Sequence, residues 1–208
     1  MTATIASGVA TASGSIVSSA DSIWLLTDDK TTLSRVDPDQ NLVVGEIRLP
    51  AGCQSLTLAE KSLWVACPTR NKVLRINPAT NVLEESIVVS ANPVAIVAGS
   101  EGALWVLCRK EGKLDRLDSK TNKVTKTIEL GVPDADGSLA FGEGWLWVSQ
   151  KGFPLARVDV KAEALVQQFY GSGGGGAMVV SPGALWLATT QGVKRIDPKR
   201  VLATLSPE

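Results

Sequence analysis

Short apolar runs alternate with clusters of turn-forming residues along the whole chain. Alternation with a period of two is typical of β-strands, and Gly, Asn, Asp and Ser are the residues that turns prefer. No segment carries a sustained apolar stripe with the 3.6-residue period of a helix. The pattern therefore predicts an all-β protein, and in its clearest stretch it predicts strands over 94–98, 103–108, 113–117 and 124–130.

Two sequence phrases recur in register. The first ends on a tryptophan, at spacings of 40, 41, 42 and 39 residues, in the series Trp24, Trp64, Trp105, Trp147 and Trp186. The second, an arginine followed by an apolar residue and then Asp or Asn, begins at Arg35, Arg75, Arg116, Arg157 and Arg195. Four strands in each of five copies of roughly 41 residues indicate the blades of a β-propeller.

Each recurring residue has a structural role in such a blade. The tryptophan supplies a large apolar area between stacked blades, and the Asp or Asn shapes the turn into the fourth strand by accepting backbone hydrogen bonds. The arginine is expected to pair with a nearby carbonyl or carboxylate. We predict one domain over residues 1–208, with repeats at about 10–50, 51–91, 92–132, 133–172 and 173–208 and an additional outer strand over 2–9.

The repeat resembles those of the YVTN and streptogramin-lyase-like β-propellers. The phrases that carry the likeness are Gly102-Ala103-Leu104-Trp105-Val106 and Val73-Leu74-Arg75-Ile76-Asn77-Pro78. The resemblance implies a closed ring of six or seven blades and a periplasmic or extracellular location. Streptogramin lyases rely on histidine and a divalent metal, whereas this sequence has no histidine. The resemblance therefore extends to the architecture and not to the lyase activity.

Two segments compete for the outer position of the last blade. Residues 4–9 resemble the end of a fourth strand, and residues 201–206 already look like the outer strand of the fifth blade. Either five blades close the ring and one strand is redundant, or the chain is part of a larger ring. An incomplete ring would expose apolar blade faces and would favour a homo-oligomer.

The composition of the chain limits the classes of partner that we expect. The 21 Lys and Arg balance the 21 Asp and Glu, so we expect no nucleic-acid partner, and no apolar run is long enough for a membrane helix. The first six residues lack the features of a secretory signal. The three cysteines cannot all pair internally, and we interpret Cys67 and Cys108, each three residues after a repeat tryptophan, as small buried hydrophobes.

The candidate binding surface is the loop rim, which we define as the loops that join strand four to strand one and strand two to strand three of the blades. Loops carry function more often than the elements they connect. These loops mix acids, bases and one aromatic residue. The candidate ligand-binding residues are Asp28, Asp29, Arg70, Arg109, Lys110, Asp134, Asp136, Gln150, Lys151 and Phe153.

Catalytic and metal motifs are absent from the sequence. Without histidine there is no Ser-His-Asp or Cys-His nucleophile, and no CxxC occurs. Asp134 and Asp136 have the spacing that opens a calcium loop, but the later ligands are missing. The innermost strands carry no acid that could hold a metal in the channel, as gluconolactonase-like propellers would require. We predict no metal and no cofactor.

Three functional hypotheses remain open. The first is a non-catalytic module that contacts an unknown protein or small molecule through the loop rim or a blade face. The second is a metal-dependent enzyme of the lyase or lactonase kind, with its carboxylates on the rim. The third is a structural subunit or fragment of a larger complex. Enzymatic activity is the less favoured reading, because no catalytic constellation is present.

Overall fold

The computed structural model describes residues 4–8, 15–170 and 173–201. These residues form five antiparallel sheets, of which four contain four strands and the fifth contains three described strands. Every strand pairs with its neighbour in sequence, so each sheet is a simple meander. The five sheets are the blades of a β-propeller, as the sequence predicted.

The strands follow the repeat. Blade 1 consists of β1 (Ile16–Ser18), β2 (Ile23–Thr27), β3 (Thr32–Asp37) and β4 (Leu42–Arg48). Blade 2 consists of β5 (Ser55–Ala59), β6 (Ser62–Cys67), β7 (Lys72–Asn77) and β8 (Val82–Val88), with a 3-10 turn at Pro68–Arg70. Blade 3 consists of β9 (Pro93–Ala98), β10 (Ala103–Cys108), β11 (Lys113–Asp118) and β12 (Lys123–Glu129).

Blade 4 consists of β13 (Gly137–Gly142), β14 (Trp145–Gln150), β15 (Phe153–Asp159) and β16 (Ala164–Phe169). Blade 5 consists of β17 (Met178–Ser181), β18 (Ala184–Thr189) and β19 (Gly192–Ile196). The first strands of neighbouring blades lie side by side, β1 on β5, β5 on β9, β9 on β13 and β13 on β17. Residues 4–8 are not assigned to a strand, and most of the expected outer strand at 201–206 lies outside the described residues.

The repeat tryptophans form the core between blades. Trp24, Trp64, Trp105 and Trp147 are at most 1 % exposed. Trp64, for example, packs in one apolar cluster with Leu104 and Val106 of the next blade. Burial of a side chain of this size contributes several kcal/mol, at ~25 cal/mol per Å² of apolar area.

The repeat arginine connects blade 1 to blade 2 and blade 2 to blade 3. Arg75 lies over the ring of Trp64, at 5.2 Å from the ring centroid. Its Nε donates to Ser62 Oγ (3.1 Å), and its Nη1 donates to the Ser119 carbonyl of blade 3 (3.1 Å). Arg35 repeats this arrangement with Ser22 Oγ and the Pro78 carbonyl. The expected pairing of the arginine with a carbonyl is confirmed at these positions.

Hydroxyl groups connect the innermost strands around the channel. Leu56 N of blade 2 donates to Ser15 Oγ of blade 1 (3.1 Å), and Ile96 N of blade 3 donates to Ser55 Oγ of blade 2 (3.1 Å). Ser138 Oγ of blade 4 donates to the Gly176 carbonyl before blade 5. These bonds satisfy polar groups at the blade junctions, where an unpaired donor would cost about 1–3 kcal/mol.

The third strand of each blade ends in the predicted side-chain turn. Asp118 Oδ1 accepts hydrogen bonds from Lys120 N (2.9 Å) and Thr121 N (2.8 Å), and Asn77 Oδ1 accepts the equivalent bonds in blade 2. The backbone bond from Thr121 is the largest cause that lowers the pKa of Asp118 below its usual value. Equivalent backbone bonds lower the pKa values of Asp37 and Asp159.

The expectation for the cysteines is partly wrong. Cys67 is not a free buried thiol, because it forms a disulfide with Cys53. Cys53 lies just before β5 and Cys67 ends β6, and Gln54 N bonds to the Ala66 carbonyl (2.9 Å), so the hairpin brings the two sulfurs together. Cys108, at the position equivalent to Cys67 in blade 3, is free and buried as expected.

Candidate functional site

The loop rim begins in blade 1 with two aspartates. Asp28, Asp29 and Lys30 form the turn between β2 and β3, and all three have left-handed backbone, with φ of 50°, 53° and 64°. Thr31 Oγ1 donates to the Asp28 carbonyl (2.7 Å), which fixes the turn. Gly8 lies against Asp28, since a Cβ at Gly8 would be 2.9 Å from Asp28 Oδ1. Blade 1 therefore presents an acidic turn with one lysine.

Blade 2 presents Arg70 beside a shallow groove. Arg70 is exposed at the end of the 3-10 turn, and Asn71 after it is left-handed with φ of 53°. A groove of about 280 Å³ next to it is lined by Arg70, Lys72 and the apolar side chains of Leu74 and Leu83. This part of the rim is cationic and apolar.

The rim charges of blades 3 and 4 pair with one another. Arg109 Nη1 contacts Asp136 Oδ1 at 2.7 Å, and Lys110 Nζ contacts Asp134 Oδ1 at 3.4 Å. Asp134 N also donates to the Arg109 carbonyl (2.8 Å). The structure thus brings four of the candidate residues together as two ion pairs between neighbouring loops.

Blade 4 adds an aromatic pair. The rings of Phe153 and Tyr170 lie 4.9 Å apart between centroids, and Tyr170 is 75 % exposed. Lys151 is exposed beside them, whereas Gln150 is buried and donates to the Val132 carbonyl (3.2 Å). Gln150 therefore holds a loop in place and presents no exposed group. Tyr170, the only tyrosine of the chain, was not among the residues singled out from the sequence.

Backbone hydrogen bonds join these groups into one surface. Lys151 N donates to the Asp136 carbonyl (3.3 Å), and Gly152 N donates to the Gly173 carbonyl (3.0 Å). Glycine is required at Gly174, where φ is 89° and a Cβ would collide with the Gln150 carbonyl. We call this surface the rim patch; it consists of Arg109, Lys110, Asp134, Asp136, Lys151, Phe153 and Tyr170.

A second groove lies at the opposite rim, between blades 1 and 2. It has a volume of about 520 Å³, and Asp21, Arg35 and Lys61 are among its lining residues. Arg35 Nη2 lies 3.7 Å from Asp21 Oδ2, and the hydrogen bond from Ser19 is the largest cause that lowers the pKa of Asp21. No separate sequence signal indicates this groove, because Arg35 is also part of the blade repeat.

One buried polar cluster lies outside the rim patch. Asp115 is 1 % exposed and accepts bonds from Ser90 N (2.6 Å), Ser90 Oγ (3.0 Å) and Thr127 Oγ1 (2.7 Å). Burial, followed by the nearby Asp115 carboxylate, raises the pKa of the Cys108 thiol far above its usual value. The thiol stays protonated and is a poor nucleophile. Among residues 4–8, 15–170 and 173–201, no group of three or more acids or cysteines could hold a metal ion.

The fold and the rim define the class: a β-propeller whose candidate contact surface is formed by loops. Two structures of virginiamycin B lyase from Staphylococcus aureus are similar to it, with TM-scores of 0.73 and 0.74, 18 % and 19 % identity, and coverage of 89 % of this chain and 66 % of theirs. The second is described as a catalytically inactive histidine-to-alanine variant with quinupristin. The resemblance to streptogramin-lyase-like propellers is confirmed for the architecture.

Two further structures share the fold. Hydrazine synthase from Kuenenia stuttgartiensis has a TM-score of 0.73 at 13 % identity, over 88 % of this chain and 65 % of its own. The extracellular domain of a putative one-component system from B. thetaiotaomicron has a TM-score of 0.69 at 18 % identity, over 89 % of this chain and 28 % of its own. At these identities the likeness concerns the fold alone.

The chain spans about two thirds of the length of the lyase and hydrazine synthase chains that it matches. No protein-family model and no curated protein matches it. In the described part of the chain, no helix has the length and hydropathy needed to cross a membrane.

Proposed function

We propose that the chain is a non-catalytic binding module that contacts a polypeptide partner through the rim patch. The observation that carries this proposal is the exposed ring of Tyr170 on Phe153, in a surface that also presents Arg109, Lys110 and Lys151. Aromatic residues and arginine are enriched where proteins contact one another, because they combine apolar area with directional polar groups.

Contacts inside the patch also hold its loops against one another. Its loops are joined by the Arg109–Asp136 ion pair and by backbone hydrogen bonds from Asp134, Lys151 and Gly152. A surface that is already ordered loses less conformational entropy on binding. The mixed charge supports a partner with both acidic and basic groups, in preference to a uniformly charged polymer.

The enzyme hypothesis has less support. The lyase variant described as inactive lacks one histidine, and this chain has none. Asp134 and Asp136 each face a cation across the loop. Elemental analysis and an activity assay of the purified chain separate the two hypotheses. A bound divalent metal, together with turnover that Asp134→Ala abolishes, would favour the enzyme.

Affinity capture from the source cells tests the proposal, with the wild-type chain and two variants as bait. Tyr170→Ser removes the aromatic anchor, and Val82→Ser is the control, because Val82 is 54 % exposed on the outer strand of blade 2, at the opposite end from the rim. We expect a protein that the wild type and Val82→Ser retain and that Tyr170→Ser loses by at least ~10-fold, as for a central aromatic contact. Equal retention by all three baits would refute the rim patch as the contact surface.

A further inference from the structure

The groove between blades 1 and 2 contains an arginine whose terminal nitrogens make only long contacts. Arg35 Nε donates to Ser22 Oγ at 2.8 Å. Nη1 lies 3.4 Å from the Pro78 carbonyl, and Nη2 lies 3.7 Å from Asp21 Oδ2. A charge-assisted hydrogen bond to an oxygen is normally about 2.7–2.9 Å long. Because the side chain is 24 % exposed, both terminal nitrogens can donate to a further acceptor.

The junction between blades 2 and 3 shows the same arrangement with more of its donors in use. There, Arg75 Nη1 also donates to Asn122 Oδ1 at 3.1 Å, in addition to its backbone partner. Asn81 is the equivalent of Asn122, but it lies against Gly45, where an added Cβ would be 3.3 Å from Asn81 Nδ2. Arg35 therefore lacks the side-chain acceptor that its counterpart has.

A second cation at this groove has no acidic partner. Lys61 is exposed in the turn between β5 and β6, where it has left-handed backbone with φ of 59°. Glu60 before it faces blade 3, since a Cβ at Gly102 would be 3.8 Å from Glu60 Oε1. In the described part of the chain, no carboxylate forms an ion pair with Lys61. The groove lining thus holds two cations and one acid, an excess of one positive charge.

The remaining walls of the groove are largely apolar. They include Trp24, Leu58, Pro78 and Ala79, and the groove has a volume of about 520 Å³. Sites for small molecules typically have volumes of ~300–1,000 Å³ and combine apolar walls with a few convergent polar groups. Both the size and the lining of this groove are those of a small-molecule site.

We propose that the groove binds a small molecule that carries one carboxylate on an apolar body. The carboxylate accepts hydrogen bonds from the terminal nitrogens of Arg35 and from Lys61 Nζ, since a planar guanidinium matches two carboxylate oxygens. The apolar body contacts Leu58 and Pro78. Asp21 stays ionised beside them and repels a second negative charge, which selects against a phosphate or a dicarboxylate. The groove lies at the opposite rim from the rim patch, so this site is independent of the polypeptide contact.

Titration with 3-phenylpropanoate tests the proposal, with 3-phenylpropanamide as the uncharged probe of the same shape. Two-dimensional ¹H–¹⁵N NMR of the labelled 208-residue chain at pH 7 gives both the position of binding and the Kd. We expect shifts at the amides of Ser22, Lys61 and Ala79, with a Kd for the acid of about 1 mM or tighter. The amide should bind at least ~10-fold more weakly, because it cannot pair with the two cations. Inorganic phosphate should give no shifts at these amides.

Variants of Lys61 separate a binding role from a structural one. Lys61→Gln should weaken binding of the acid about three- to five-fold, the range for one exposed ion pair, while Lys61→Arg should retain it. Lys126→Gln, on the exposed face of β12, is the matched control and should leave the Kd unchanged. Tyr170→Ser should also leave it unchanged, which separates this test from that of the rim patch. Circular dichroism verifies that each variant is folded.

Several results would overturn the proposal. Groove amides that do not shift in excess 3-phenylpropanoate would show that the site does not bind it. Equal affinity for the acid and the amide would mean that apolar contact alone holds the probe. Phosphate binding as tight as that of the acid would reveal a site for any anion. Equal Kd values for Lys61→Gln and Lys126→Gln, or shifts confined to the rim patch, would remove the carboxylate from this groove.

Discussion

At the scale of single residues, one side-chain oxygen holds the turn after the third strand of the blades. Asp118 and Asn77 accept the same two backbone bonds, so the turn requires an oxygen acceptor and not a charge. The lowered pKa of Asp118 means that the folded state binds its proton less tightly than the unfolded state. Its stabilising contribution is thus present above the unfolded pKa, near 3.8, and is lost as the pH falls through the lower, folded pKa.

Asp118→Asn should therefore make the protein less sensitive to acid. At pH 7 we expect its Tm to stay within about 2–4 °C of the wild-type value, because the amide oxygen can accept the same bonds. Below the pH range in which carboxyl groups normally titrate, the Tm of the wild type should decrease more than the Tm of the variant. Thermal unfolding across pH 2 to 7 measures this, and an identical acid dependence in both proteins would contradict the assigned role.

The cysteines provide a second prediction at this scale. The Cys53–Cys67 disulfide closes a segment with a sequence separation of 14 residues and thereby restricts the unfolded chain. Cys53→Ser should lower the free energy of unfolding by about 2–4 kcal/mol. Urea unfolding with and without reductant checks this, since reductant should destabilise the wild type and the control Cys108→Ser but not Cys53→Ser. A wild type that is indifferent to reductant would refute the prediction.

At the scale of elements, the cover on each of its two faces stabilises a blade. The second strand of blades 2, 3 and 4 serves two junctions, since its tryptophan faces the next blade and its flanking aliphatic residues face the previous one. In β10, for example, Trp105 packs on blade 4, whereas Leu104 and Val106 pack on Trp64 of blade 2. Alternation along one strand thus encodes both contacts.

The cost of losing a repeat tryptophan should depend on its junction. Trp64→Ala should lower the free energy of unfolding by about 3–5 kcal/mol, because a fully buried indole leaves a cavity. Trp186→Ala should lower it by less, about 1–2 kcal/mol, because the ring is already 37 % exposed and its removal leaves a smaller cavity. Urea titration of both variants gives the comparison, and equal losses would show that the blade 5 face is covered in solution.

At the scale of the whole molecule, the strongest contacts between blades, among the described residues, join blades that are neighbours in sequence. Stability in such arrays is close to a sum of intrinsic blade terms and junction terms. Blades 2, 3 and 4 take part in two junctions each, while blade 5 has its Trp186 face exposed. The array should therefore open first at blade 5.

Hydrogen exchange should detect this gradient. We expect backbone amides of β18 and β19 to exchange at least ~10-fold faster than those of β6 and β10, through local opening of the terminal blade. Mass spectrometry of peptides from these strands provides the measurement. Uniform protection across the five blades would indicate a closed ring and would contradict the linear description.

The sequence alone determined the repeat, the strands and the turns, because these depend on local periodicity and on side chains that bond within a few residues. It also predicted which loops share the rim, since the loop order follows from the blade meander, but it did not indicate that Arg109 pairs with Asp136. It missed the Cys53–Cys67 bond, although these residues flank one hairpin. Only the tertiary structure decided that Gln150 is buried, that Tyr170 covers Phe153 and that Trp186 is exposed. Those properties depend on which surfaces meet across blades, and five near-identical phrases do not reveal which of them lacks a neighbour.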